Sequence, residues 1–130
     1  MIDKFINYKS TRGSSPILKF NEVIFEGLAA DGGLYVPEKW PVLTNEQITS
    51  FNDKSYNEIA HEVISVFLDE SISSQDLAKI INDSYSTFTN SEITPLRKLD
   101  QNQYLLELFH GPTFAFKDLA MQFIGNIMNL

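Results

Sequence analysis

The sequence contains no cysteine. That absence removes a disulfide framework and any thiolate metal site together, and it fits a reducing compartment, so a cytoplasmic location is expected. Positive charge is scarce as well: 10 Lys and Arg stand against 17 Asp and Glu, a net charge of −7. The cations are scattered rather than gathered on one face. Because phosphate-backbone binding needs a basic patch, nucleic acid is not expected as a partner. An anionic ligand would have to be met by a few local donors, against an unhelpful overall field. No apolar run reaches the roughly 20 residues that span a bilayer, so no membrane association is expected. The opening "MIDKFINYKSTRG" lacks the continuous apolar segment of a secretory signal.

What remains is the composition of a folded domain, with 43% hydrophobic and 21% charged residues. A chain of 130 residues can bury roughly two-thirds of its unfolded surface, enough for one ordinary core. There is no internal repeat and no low-complexity stretch.

Residues Phe5 to Lys9 read as a short strand entering a polar turn, "STRG". "NEVIFEG" offers Asn21 as an N-cap, one or two helical turns, and Gly27 just past the end. "DGG" is a turn signal, and "LYV" before Pro37 is a short strand. Three helix starts with capping-box spacing follow: Thr44 with Gln47, Ser55 with Glu58, and, as a weaker variant, Ser73 with Asp76. Ile59, Ala60, Val63, Ile64 and Phe67 share one face of the second helix; Leu77, Ile80, Ile81 and Tyr85 share one face of the third. His61, between Glu58 and Glu62 on the polar side, is given no role. "SYSTFTNSEI" is a connection, and "TPLRKL", "DQNQ" and "YLLELF" predict a β-hairpin or two successive strands. "HGPT" then breaks the strand, and Thr113 can cap a final helix. The fold class is α/β. It comprises an α+β N-terminal domain over residues 1–90, with short strands and three to four helices, and the opening strand–turn–helix of a second domain over 91–130.

The final segment, "LELFHGPTFAFKDLAMQFIGNIM", places one lysine, Lys117, in the most apolar stretch of the chain. On a wheel of about 100° per residue, Asp118, Gln122, Asn126 and Asn129 form a polar stripe, and Lys117 falls with Met121, Ile124 and Met128 instead. A lysine there could snorkel to solvent. Yet the positive end of a helix dipole and apolar neighbours both disfavour an ammonium, and a neutral amine is what imine chemistry with an aldehyde requires. A phosphate-binding P-loop is ruled out, because the glycine before the lysine and the Ser/Thr after it are replaced by Phe116 and Asp118.

"ELFHGPTFAFKDLAMQF" resembles the lysine motif of the threonine synthase family. "YKSTRG", "FNEVIFEGLAADGGLYVPEKWP" and "ITPLRKLDQNQYLLELFHGPT" resemble that family's N-terminal region in the same order, so the likeness spans essentially the whole chain. The resemblance implies a pyridoxal-phosphate enzyme of the tryptophan-synthase-β-like fold. Its substrate would be O-phospho-L-homoserine, converted with water to L-threonine and phosphate, and Lys117 would carry the cofactor as a Schiff base. Other roles stay open. His110 and Thr113 are substrate-binding candidates, or a turn residue and a helix cap. Phe116 could pack on the cofactor ring or in a helix core. Asp118 could orient a backbone group or favour the helix start. Ser10, Thr11 and Arg12 are substrate-binding candidates, with Arg12 offering a bidentate fork for phosphate or carboxylate, or they form a solvated turn. Family members are several times longer, so the chain is expected to be an inactive N-terminal fragment. A related pyridoxal-phosphate lyase is one alternative. A non-catalytic module that docks or self-associates through the apolar residues 114–130 is another.

Overall fold

The structure, a computed structural model, describes residues 6–130. They divide into two units interleaved along the chain: Met1–Asn52 with Glu62–Ser74, and Asp53–His61 with Gln75–Leu130.

In the first unit, strand β1 (Tyr8–Ser10) pairs antiparallel with β2 (Tyr35–Pro37), Ser10 opposite Tyr35 and Tyr8 opposite Pro37. The period of two is visible in burial: Ile6, Tyr8 and Ser10 are inside, Asn7 and Lys9 outside. The strand therefore ends at Ser10 rather than Lys9, and Phe5, its expected start, lies outside the described residues. Tyr8 reaches across to donate its hydroxyl to the Phe67 carbonyl at 2.6 Å. Helix α1 (Phe20–Glu26) starts earlier than Asn21 predicts, with Lys19 at the N-cap. Two carboxylates explain the earlier start. Lys19 N–H donates to Glu22, and Asn21 N–H donates to Asp69, so the orphan amides of the first turn are met without an Asn21 cap. Gly27 ends the helix with φ 69°, as its position predicts.

Helix α2 (Asn45–Ser50) is fixed by the reciprocal bonds of Thr44 and Gln47 at 2.8 and 3.2 Å. A 3-10 turn, Phe51–Asp53, leads to α3 (Tyr56–Ser65), where Ser55 and Glu58 make the second box. The predicted stripe on α3 is only half-buried. In the second unit α4 (Ser74–Tyr85) carries the core: Leu77, Ile80, Ile81 and Tyr85 are buried, and Ser84 is completely enclosed. Strands β3 (Leu96–Asp100) and β4 (Gln103–Leu106) form the predicted hairpin, with an irregularity between Lys98 and Asp100.

Helix α5 (Asp118–Ile127) differs from expectation in two ways. It begins at Asp118, so Thr113 is not its cap and Lys117 stands at the N-cap instead of within the apolar helix. Its polar stripe, apart from the exposed Asn129, also faces inward. Asp118 is 3% exposed, and Asn126 donates to Ser84 Oγ at 3.1 Å, while Met121, Ile124 and Met128 are exposed. The reason lies on α4: Ser84 Oγ donates to the Ile80 carbonyl and accepts from Asn126, and Tyr85 donates to the Leu119 carbonyl, a polar seam that suits amides better than methyl groups.

Candidate functional site

The sequence-predicted residues fall into two groups, one in each unit. In the first unit the turn after β1 is held by an acid that the sequence reading passed over, Asp31. Its carboxylate accepts from Ser10 Oγ at 2.7 Å, from Ser14 N–H at 2.9 Å and from Gly33 N–H at 2.9 Å. The Ser10 hydroxyl, with the Gly33 and Ser14 amides, holds the Asp31 carboxyl down at about 2, against a smaller opposing effect of burial. Ser10 is 3% exposed, and its oxygen also accepts from Arg12 N–H at 3.1 Å, so this hydroxyl is committed to the loop. Thr11 is tied to Leu34 twice, through its N–H and through its Oγ1. Arg12 is exposed and donates from Nη1 to the Asp31 carbonyl at 3.0 Å. Among the described residues its charge meets no carboxylate within salt-bridge distance.

In the second unit one loop, 107–118, carries His110, Thr113, Phe116 and Lys117. A second acid absent from the sequence reading, Glu107, lies 2.7 Å from His110 Nε2, with both side chains about 15% exposed. Thr89 fixes the His110 carbonyl through its amide and its hydroxyl. Beyond His110 the chain is clamped by Asp118: Thr113 N–H and Oγ1 both donate to its carboxylate at 2.8 Å. Gly111 lies so close to Asp118 that a side chain there would overlap the aspartate. Phe114 takes φ 61°, a left-handed backbone uncommon for an aromatic residue. The clamp brings the chain into α5 with Lys117 exposed at its head, Nζ free of any carboxylate among the described residues. Phe116 is 64% exposed, so it is not packed in a helix core. An unpaired, accessible amine at a helix start, in a loop that also exposes Phe114 and Phe116, fits the anchoring of an aldehyde cofactor by an imine.

The Threonine synthase N terminus family model matches residues 7–85, more than half of the chain. The chain belongs to this family. It is similar to the threonine synthase of Schizosaccharomyces pombe, 50% identical over 123 residues, covering 94% of this chain and 24% of that protein. The threonine synthase of Pseudomonas aeruginosa is 46% identical over 124 residues, covering 95% and 26%. The crystal structure of a PLP-bound threonine synthase from Brucella melitensis superposes with a TM-score of 0.93 at 44% identity, covering 95% of this chain and 27% of that one. The chain thus spans about a quarter of the length of the threonine synthases it matches. The mixed α/β architecture, with small antiparallel sheets and five α-helices among the described residues, agrees with these neighbours.

Asp31 and Glu107 carried little sequence signal. Asp31 reads as a turn residue in "DGG", and Glu107 as one polar residue ending a strand. The signal available for Asp31 was the second glycine, which a turn alone does not require.

Proposed function

We propose that this segment is the N-terminal part of a threonine synthase that converts O-phospho-L-homoserine and water to L-threonine and phosphate. In this reading Lys117 holds pyridoxal phosphate. The observation that carries it is the placement of Lys117: an exposed amine at the head of α5, with its backbone set by the buried Asp118 and by Thr113. The matched relatives are threonine synthases, and one is described as PLP-bound, which supports the same cofactor here. When bound, pyridoxal phosphate supplies an electron sink for charge that develops on a substrate carbon. Lys117 Nζ anchors it and then takes and returns protons. Arg12 receives an anionic group of the substrate through its free guanidinium donors. His110, oriented by Glu107 through Nε2, presents its other ring nitrogen as a hydrogen-bonding group. Phe116 offers a face for the cofactor ring, and Thr113 keeps its hydroxyl on Asp118.

The test is turnover and trapping with the purified full-length protein of which this segment is proposed to be a part. O-phospho-L-homoserine should release phosphate in the presence of pyridoxal phosphate. Borohydride reduction followed by peptide mapping should place the cofactor on Lys117, and Lys117→Ala should abolish both. Trapping spread evenly over the exposed lysines, or turnover that survives Lys117→Ala, would sink the reading. If the phosphate-free amino acids serine or threonine were consumed instead, a related lyase would replace it. The 130 residues by themselves should be inactive. The exposed Phe114, Met121, Ile124 and Met128 favour a second reading, a self-associating module. A dimer in sedimentation that is lost in Met121→Lys, together with no cofactor trapping, would support it.

A further inference from the structure

We propose that Asp31 is a positioning residue that sets Arg12 to receive the oxyanion of the substrate, whether phosphate monoester or carboxylate. The proposal rests on the enzymatic reading above.

Asp31 holds Arg12 from both ends. At the backbone, the Arg12 N–H donates to Ser10 Oγ, and the same hydroxyl donates on to the Asp31 carboxylate, so a single chain of bonds links the acid to the peptide of Arg12. At the side chain, Nη1 donates to the Asp31 carbonyl. The carboxylate itself is fully engaged by Ser10, Ser14 and Gly33, so it does not neutralise the guanidinium. An arginine with one N–H parked on a neutral carbonyl keeps its charge and its remaining donors for a ligand, with less side-chain freedom to lose on binding.

The two glycines after Asp31 make this approach possible. A Cβ at Gly32 would sit 3.0 Å from Arg12 Nη1, and a Cβ at Gly33 would overlap Ser10 Oγ. Gly32 has φ +76°, which the turn itself explains. Gly33 has no such backbone reason to be glycine; what constrains it is the closeness of Ser10 Oγ, with Asp31 Oδ1 at 3.0 Å and the Arg12 amide nitrogen at 3.1 Å from the place of its missing Cβ. The loop is therefore built around Arg12 rather than merely passing it. In a chain of net charge −7, a preorganised local cation is how an anionic substrate can be captured.

Phenylglyoxal consumes accessible guanidinium groups, and peptide mapping distinguishes Arg12 from Arg97, the two arginines of this sequence. Arg97, whose Nε lies 3.7 Å from Glu107, is the internal control. Inorganic phosphate should slow modification of Arg12 and not of Arg97. In Asp31→Asn the phosphate concentration giving half-protection should rise about tenfold, the effect of losing one well-aligned charged hydrogen bond. KM for O-phospho-L-homoserine should rise by a similar factor with kcat within about twofold. Arg12→Lys should do the same, and the double variant should be no worse than Arg12→Lys alone, because the acid acts through the arginine. Ser10→Ala, which removes the hydroxyl linking the acid to the Arg12 peptide and leaves the Ser14 and Gly33 amides on the carboxylate, gives a second route should Asp31→Asn fail to fold. L-homoserine, which keeps only the carboxylate, assigns the oxyanion. Protection by phosphate alone places the phosphate on Arg12, and protection by L-homoserine alone places the carboxylate there. Protection by neither overturns the proposal. So do additive effects in the double variant, or an Asp31→Asn protein with a lower melting temperature and unchanged protection. A full-length protein that shows Asp31-dependent protection but no turnover would refute the threonine synthase reading and leave the anion site standing.

Discussion

The clamp between Thr113 and Asp118 can be tested by removing one oxygen. Thr113→Val keeps the shape of the side chain and deletes the hydroxyl that donates to Asp118 at 2.8 Å, while the backbone N–H bond to the same carboxylate remains. Asp118 is 3% exposed, so its oxygen loses a partner in a place that solvent scarcely reaches. A hydrogen bond to a buried charge is worth about 1.5–3 kcal/mol. Thr113 itself is exposed, however, and water entering beside the valine would recover part of this. The lower end, about 1–2 kcal/mol, is therefore expected. With a urea dependence of about 1.5 kcal/mol per molar for a chain of this size, the unfolding midpoint should fall by roughly 1 M. Thr113→Ser keeps the donor and should stay within about 0.5 kcal/mol of the parent. Urea titration followed by far-ultraviolet circular dichroism measures both. Equal midpoints for the valine and serine variants would refute the clamp, because a hydroxyl that matters cannot be dispensable in one variant and present in the other without a difference.

Three further outcomes follow from the same bonds. Asp31 titrates at about 2 in the folded chain and near 4 when unfolded, so its stabilisation is complete above pH 4 and is lost as pH falls toward 2; Asp31→Asn should flatten the acid limb of a melting-temperature profile over that window. Ser84→Ala removes the acceptor of Asn126 Nδ2 in an enclosed position, and a loss of about 1 kcal/mol, roughly 4 °C in Tm by calorimetry, is expected. Burial, with the Asp69 charge adding to it, pushes the Tyr8 hydroxyl up to about 12, so the folded state keeps a proton that the unfolded state gives up near 10. Stability should fall as pH rises from about 10 to 12, and Tyr8→Phe should make that fall shallower in a series of urea midpoints against pH, the remainder coming from Tyr56 and Tyr85, which burial also pushes up.

Local signals survived the passage from sequence to structure, and relational ones did not. The boxes at Thr44 and Ser55 formed as read, because both partners lie within one turn. Gly27 took its left-handed backbone, and the α4 stripe became the core, for the same reason. Asn21 failed as a cap because a competing acceptor, Asp69, arrives from 48 residues away. The α5 wheel located its polar stripe correctly, but a wheel assumes that polar means wet. Ser84, 42 residues before Asn126, supplies a buried polar partner and reverses which side is inside. Lys117 was legible as the unusual lysine, while the clamp that presents it depends on a carboxylate whose burial no composition rule foretells.

The pair Gly32–Gly33 shows where more could have been read. One glycine satisfies the left-handed turn after Asp31, since Gly32 alone of the two has a positive φ. A second glycine in an ordinary backbone carries an entropic cost of about 0.5–1 kcal/mol relative to alanine and gains nothing from the turn. A surplus glycine therefore implies that another atom occupies the space of its missing Cβ. Here that atom is Ser10 Oγ, and the residue it serves is Arg12. Gly33→Ala separates the two explanations, because Gly33 bears no turn strain and the added methyl meets the bonded group that holds Arg12: Ser10 Oγ, Asp31 Oδ1 and the Arg12 amide nitrogen. Loss of phosphate protection at Arg12 in that variant, with Thr11 still paired to Leu34, would show that the glycine is there for the arginine. Unchanged protection would return Gly33 to the turn and take away half of the case for Asp31.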